Sequence, residues 1–183
     1  MLPQVEQLKD KEYEVLYLTD YVDEFVVQVM NNYDGKQFVN VSTSNVDLDS
    51  DEEKQELQNK NIEYKDVFEV MRNTLKDNNV SGIRFTHRLK NHPVCLVTEG
   101  DVSIEMEKVM NAMPTDEKVK AKTILEINEN HDISKKLDDL YKNNKDELEK
   151  YTKILYAQAR LIEGLPIDNP TEISNLVCEI LAK

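Results

Sequence analysis

Two consecutive amphipathic segments at the carboxy end constrain this chain more than any other feature. In residues 146–163, Leu148, Tyr151, Leu155, Ala159 and Ile162 recur at helical spacing and make one apolar face, which Ile154, Ala157 and Leu161 widen. Gly164 and Pro166 end that helix. Asn169-Pro170-Thr171-Glu172 starts the next, with Asn169 as N-cap, Pro170 at the first helical position and Glu172 at the capping-box position. Over 170–182, Ile173, Leu176, Val177, Ile180 and Leu181 form a second stripe. Two neighbouring helices with faces this wide cannot bury both sides against each other. Either the rest of the chain covers the remainder, or a second copy does so and completes a four-helix bundle.

The rest of the chain mixes both kinds of element. Residues 3–11 read as a short helix with Val5 and Leu8 inward, 14–19 (EVLYLT) as a strand, 21–33 as a helix with apolar positions 22, 25, 26, 29 and 30, and 37–42 (QFVNVS) as a strand. Asp34-Gly35 is a left-handed stop between the last two. That order predicts two parallel strands with helices on their faces, a unit too small to stand alone. From Asp47 to Glu56, six acidic residues stand against Lys54, which marks an acidic connector or an exposed helix face. A helix from Ile62 to near Asp77-Asn78-Asn79 places Val67, Phe68, Met71 and Leu75 inward. Residues 80–87 and 93–98, separated by a polar turn, predict an antiparallel hairpin, and 122–128 (KTILEIN) a third strand. Helices follow over 133–143 and through the terminal pair. The class is α+β: a small α/β unit, a connector, then a three-stranded sheet with helices and the closing helix pair.

A short helix at 102–113 carries Val102, Met106, Val109, Met110 and Met113 at i, i+4, i+7, i+8 and i+11, with three of the chain's six methionines. Methionine is flexible and polarizable and suits surfaces that meet varied partners. The stripe either faces such partners or packs into its own domain.

Motifs for chemistry are missing. His87, His92 and His131 fall in turn-like positions without a metal-binding spacing or a surrounding carboxylate pattern. The four glycines form no phosphate loop, and no nucleophile elbow occurs. Catalytic residues, metal ligands and cofactors are therefore expected to be none. Cys95 and Cys178 fit no redox or metal pair and read as reduced core residues. A net charge of −13 repels phosphate backbones and argues against nucleic acid as a partner. No apolar run approaches the ~20 residues of a membrane span, and MLPQVE has neither the basic n-region nor the apolar h-region of a signal peptide, so none is expected.

The segments EVLYLTDYVDEFVVQ, DGKQFVNVS, IRFTHRL, HPVCLVTEGDVSIEMEKVM and ILEIN resemble the heat shock protein 90 family, and its bacterial branch above all. The likeness runs along essentially the whole chain and is densest from Arg84 to Leu96 and in ILEIN. It implies a homodimeric, ATP-driven chaperone of which residues 1–46 end the middle domain, 47–56 connect, and 57–183 form the carboxy-terminal dimerisation domain. ATP, magnesium and the arginine that assists hydrolysis would be held by parts preceding residue 1, so no enzyme activity is expected of this chain. The resemblance makes 102–113 the helix that contacts unfolded or partly folded clients, and the last two helices the dimer bundle. The end at Ala182-Lys183, without an acidic docking tail or a retention signal, points to a bacterial, cytoplasmic member. A structural dimerisation module without a client surface is the alternative.

Overall fold

The computed structural model describes residues 2–20, 22–43, 48–100, 102–114 and 118–183. A 3-10 turn (Pro3–Val5) leads into α1 (Glu6–Asp10), and Gln4, Val5 and Leu8 are buried as expected of an inward-facing start.

The α/β unit expected next is not what the chain forms. Residues 14–19 have no regular structure, and Leu16, Tyr17 and Leu18 stay exposed. The expected strand 37–42 contributes only its first residue to β2 (Lys36–Gln37), which pairs antiparallel with β1 (Asn32–Tyr33). Asp34 and Gly35 are both left-handed (φ 49° and 74°), as a two-residue hairpin turn requires. The helix ends earlier: α2 (Asp23–Met30) stops at Asn31, whose φ is 58°. Its stripe (Val22, Phe25, Val26, Val29, Met30) is exposed. The reason for the miss is that parallel strands need both faces and their edges covered. Local pattern can write such a strand without supplying its neighbour.

From Ser50 onward the chain builds its main core. The residues read as connector, from 51 to 56, are the first turns of α3 (Asp51–Glu63). Ser50 and Glu53 close a full capping box there, and Asp51, Glu52 and Glu53 set negative charge on the positive end of the helix. Asp47 lies outside the described residues. In α4 (Lys65–Thr74), Val67, Phe68 and Met71 point inward.

The sheet comprises β3 (Val80–Thr86), β4 (Val94–Thr98) and β5 (Thr123–Asn128) in the order β3-β5-β4. The expected β3–β4 hairpin is thus corrected: β5 lies between them, parallel to β3 and antiparallel to β4. The sequence of β5 explains its place. Its Leu125 and Ile127 join Ile83, Phe85, Val94 and Leu96 in the main core, whereas Ile124 joins Leu89, Cys95 and Val97 in a second cluster. A strand apolar on both faces belongs in the middle of a sheet. The edges are closed by side chains: Asn61 of α3 accepts the Phe85 N–H at 2.7 Å, and Gln4 donates to the Leu96 carbonyl at 2.8 Å. Phe85 packs edge-on against Phe68 and Tyr64, with centroids 5.0 and 4.8 Å apart.

Three further helices are α5 (Ile104–Ala112), between β4 and β5 in the chain, then α6 (Asp132–Asn143) and α7 (Lys145–Ile162). Leu137, Leu140, Leu148 and Leu155 of the last two enter the main core. A final helix, α8 (Pro170–Leu181), folds back on α7 with Asn169 as N-cap, its Oδ1 accepting the Glu172 N–H at 3.2 Å.

Candidate functional site

The methionine helix α5 is capped by Ser103, whose Oγ accepts the Met106 N–H at 3.0 Å and donates to Glu24 Oε1 at 2.8 Å. It ends at Met113, held extended (ψ 147°) before Pro114, a residue that disfavours helix at the position preceding it. Its fully buried residues are Ile104 and Glu107. Of the expected stripe, Val102, Met106 and Val109 are half-buried, while Met110 and Met113 are 37% and 46% exposed. The polar side of α5 is thus turned inward. Glu107 accepts the Ala121 N–H at 2.7 Å, and Asn111 bonds both backbone groups of Val119. Sequence reasoning passed over Glu107 and Asn111; their recurrence at i+3 and i+7 from Ile104, on one helix face, was the available signal.

The terminal pair divides differently from its periodicity. Leu148 (0% exposed) and Leu155 (4%), expected at a dimer seam, lie in this chain's own core, and Tyr151 packs at its margin. The helix turns that face toward the sheet because the sheet's apolar side must be covered from within the chain. Ile154 and Ile162 are half-buried, and Leu161 is 61% exposed. No residue of α8 is fully buried: Ile173, Leu176, Val177 and Ile180 are half-buried and Leu181 is 80% exposed. Ion pairs line one side of the α7–α8 contact: Lys153–Glu172 at 2.7 Å, Lys150–Glu179 at 2.5 Å and Lys183–Glu147 at 2.7 Å.

Cys95 is buried, and burial pushes its thiol well up, but Cys178 on α8 is exposed rather than a core residue. Two histidines expected to lack carboxylates have them. His87 lies 3.2 Å from Asp49 and 2.6 Å from Glu129, and His92 lies 2.8 Å from Glu6. His131 is the N-cap of α6. These contacts tie segments together: Glu6 also accepts the Lys90 and Asn91 N–H groups, locking α1 to the turn before β4, while Lys60 and His87 share Glu129. On the second face of the sheet, Arg84 and Arg88 pair with the buried Glu126 at 2.6 and 2.8 Å. Among the described residues no group of three or more His, Cys, Asp or Glu side chains could hold a metal.

The acidity of Glu163, the C-cap of α7, moves toward neutrality. Burial is the largest cause and pushes its carboxyl up to about 7, against the hydrogen bond from Gln4, with Glu105 adding and Lys108 opposing. It lines neither of two surface hollows, one beside Arg160 and the other beside Arg84. No helix among the described residues is long and apolar enough to cross a membrane.

A family model described as Hsp90 protein matches residues 1–183. The chaperone protein HtpG of Bacillus subtilis is 46% identical over 180 residues, which is 98% of this chain and 29% of that protein. HtpG of Clostridium botulinum strain Langeland is 47% identical over 180 residues, again 98% and 29%. HtpG of Bacillus licheniformis is 45% identical over 181 residues, 99% of this chain and 29% of its own length. The chain therefore spans 29% of the length of these curated relatives.

Proposed function

This chain belongs to the Hsp90 protein family, and from that premise we propose that it is the part of a chaperone that joins two copies and contacts client proteins. One observation carries the dimer reading. The helix α8 has five aliphatic stripe residues and buries none of them fully, and Leu161 of α7 is exposed as well. A second copy laying its own α7 and α8 on this face would complete a four-helix bundle. Leu161, Ile154, Ile162, Ile173, Leu176, Val177, Ile180 and Leu181 are its seam, and Leu148 and Leu155 serve the fold beneath it. The client reading rests on Met110 and Met113 standing out from α5 while Glu107 is buried.

The two surfaces act together. The bundle holds two arms so that closure driven by ATP, bound with magnesium outside residues 1–183, works on one shared client. Unfolded or partly folded proteins are the partners in this reading. Nucleic acid is disfavoured by the charge of −13. A bacterial cytoplasm is the proposed location, after the relatives.

A second reading keeps the dimer and drops the client surface. It is favoured by the half-burial of Val102, Met106 and Val109. Light-scattering mass decides the first claim. Twice the chain's 21.3 kDa is expected for the unaltered chain at tens of micromolar, and a monomer for Leu161→Asp with Ile180→Asp, since a charge in a dry seam costs several kcal/mol. A monomeric unaltered chain would refute it. The same measurement with an added unfolded protein separates the two readings, because only the client reading expects a heavier complex.

A further inference from the structure

We infer that Glu107 and Asn111 are positioning residues of the methionine helix, fastening α5 to residues 118–121 and so fixing which face it presents. The inference rests on the client reading above. It starts from an inversion. An amphipathic helix ordinarily turns its apolar stripe inward, but α5 buries the carboxylate of Glu107, 5% exposed, and leaves Met110 37% exposed, with its C-cap Met113 at 46%. Among its apolar residues only Ile104 is fully buried, and it lies in the first turn. Full apolar burial is thus confined to the start of the helix, and in the later turns, which carry the half-buried Met106 and Val109 as well as Met110, polar bonds add to partial packing.

Those bonds are specific. The Asn111 side chain donates from Nδ2 to the Val119 carbonyl at 2.7 Å and accepts the Val119 N–H on Oδ1 at 2.9 Å. This two-way exchange resembles a hydrogen-bonded pair in an antiparallel ladder. Lys118 adds a bond from Nζ to the Asn111 carbonyl at 3.0 Å, and Glu107 Oε2 accepts the Ala121 N–H at 2.7 Å. From the other side Asn79, left-handed at φ 58°, donates Nδ2 to the carbonyls of Lys120 and Ala121 at 3.1 and 2.9 Å. The 118–121 segment is therefore a rail held by Asn79 and leading directly into the central strand β5. The helix α5 rides on it through two side chains. A buried carboxylate is tolerated when it is hydrogen-bonded, and Glu107 has that bond while its helix is seated this way round.

The test uses the whole 183-residue chain. Asn111→Ala and Glu107→Ala are compared with Glu107→Gln, which keeps an acceptor for the Ala121 N–H. Amide exchange over 104–113 and 118–122 is measured together with binding to reduced, permanently unfolded α-lactalbumin. Losing the two Asn111 bonds should speed exchange in both segments by roughly tenfold. Exchange in the sheet should be unaltered, and reporter binding should weaken along with it. Glu107→Ala should act likewise, and Glu107→Gln should restore most of both signals. If Asn111→Ala does not fold, Asn111→Asp, which keeps the acceptor and loses the donor, takes its place. Unaltered exchange in α5 would overturn the inference. So would unaltered reporter binding by a loosened helix when Met106→Ser with Met110→Ser does weaken it. If neither change affects the reporter while exchange rises, the fastening stands and the client reading falls.

Discussion

The Gln4 amide nitrogen donates to Glu163 Oε1 at 2.6 Å, joining the first turn of the chain to the end of α7 across 159 positions. The same nitrogen donates to the Leu96 carbonyl, so one side chain links the entering segment, the sheet edge and α7. Glu163 is 2% exposed, and among the described residues neither its Oε2 nor Gln4 Oε1 has a hydrogen-bond donor. A proton on Glu163 relieves a buried negative charge, which is why burial pushes its carboxyl up to about 7.

That shift sets a pH dependence. An unfolded glutamate titrates near 4.5, so between 4.5 and about 7 the folded chain retains a proton that the unfolded chain has released. Stability should therefore fall as pH rises through this window, by about 3 kcal/mol at most for a shift of this size. Glu6 and Glu129 are shifted the other way: despite the opposing effect of their burial, hydrogen bonds hold their carboxyls below 4.5. Their contribution is present above 4.5 and is lost as pH falls through their lower folded values, outside the Glu163 window. Urea unfolding at pH 5 and pH 8 should show the loss, and Glu163→Gln should shrink it. An equal loss in Glu163→Gln would remove Glu163 as the cause.

The ion pairs between α7 and α8 should matter little. Each joins partly exposed side chains, whose mutual attraction is weakened by water and further screened by salt. If apolar burial joins the two copies, dimer mass should be unchanged between 0.05 and 1 M sodium chloride, two ionic strengths that bracket strong and weak screening. Dissociation in high salt would mean that charge, not the α8 stripe, holds the pair together.

Apart from α3, whose first turns read as an acidic connector, the helices are legible in the sequence because their signals are local. Asn169 caps α8 where its pattern said it would, and Val67, Phe68 and Met71 take the inward face of α4. What was missed depends on distant partners. The order β3-β5-β4 places a strand between two that look like a hairpin, and only the two-sided apolarity of Ile124-Leu125 with Ile127 hinted at it. His87 and His92 gain carboxylates from 38 to 86 positions away, beyond any spacing rule. Periodicity found the stripe of α7 but not what covers it, so Leu148 and Leu155 were read with the outer face although they serve the inner one.

The two faces of α7 should separate experimentally. Leu155→Ala empties a core site and should cost about 2–5 kcal/mol in denaturant unfolding, with dimer mass kept wherever the chain is folded. Leu161→Ser should leave the unfolding of the monomer nearly unaltered and weaken dimerisation. A Leu155→Ala chain that is fully stable but monomeric would return that residue to the seam.

The methionine face offers the closest choice between the two functional readings. Met106 is half-buried and Met110 is 37% exposed, so neither has the full burial that makes truncation expensive. Changing both to Ser removes apolar surface from the stripe proposed to meet clients and leaves Ile104, Glu107 and Asn111 in place to seat the helix. Thermal melting should therefore move by no more than a surface change does, about 0.5 kcal/mol per site. Suppression of aggregation of a heat-unfolded reporter should weaken in parallel with binding. A cost of several kcal/mol, on the scale of an emptied core site, would place the stripe in the core. Unaltered melting with unaltered suppression would leave the chain a dimerisation module, its methionines without a partner.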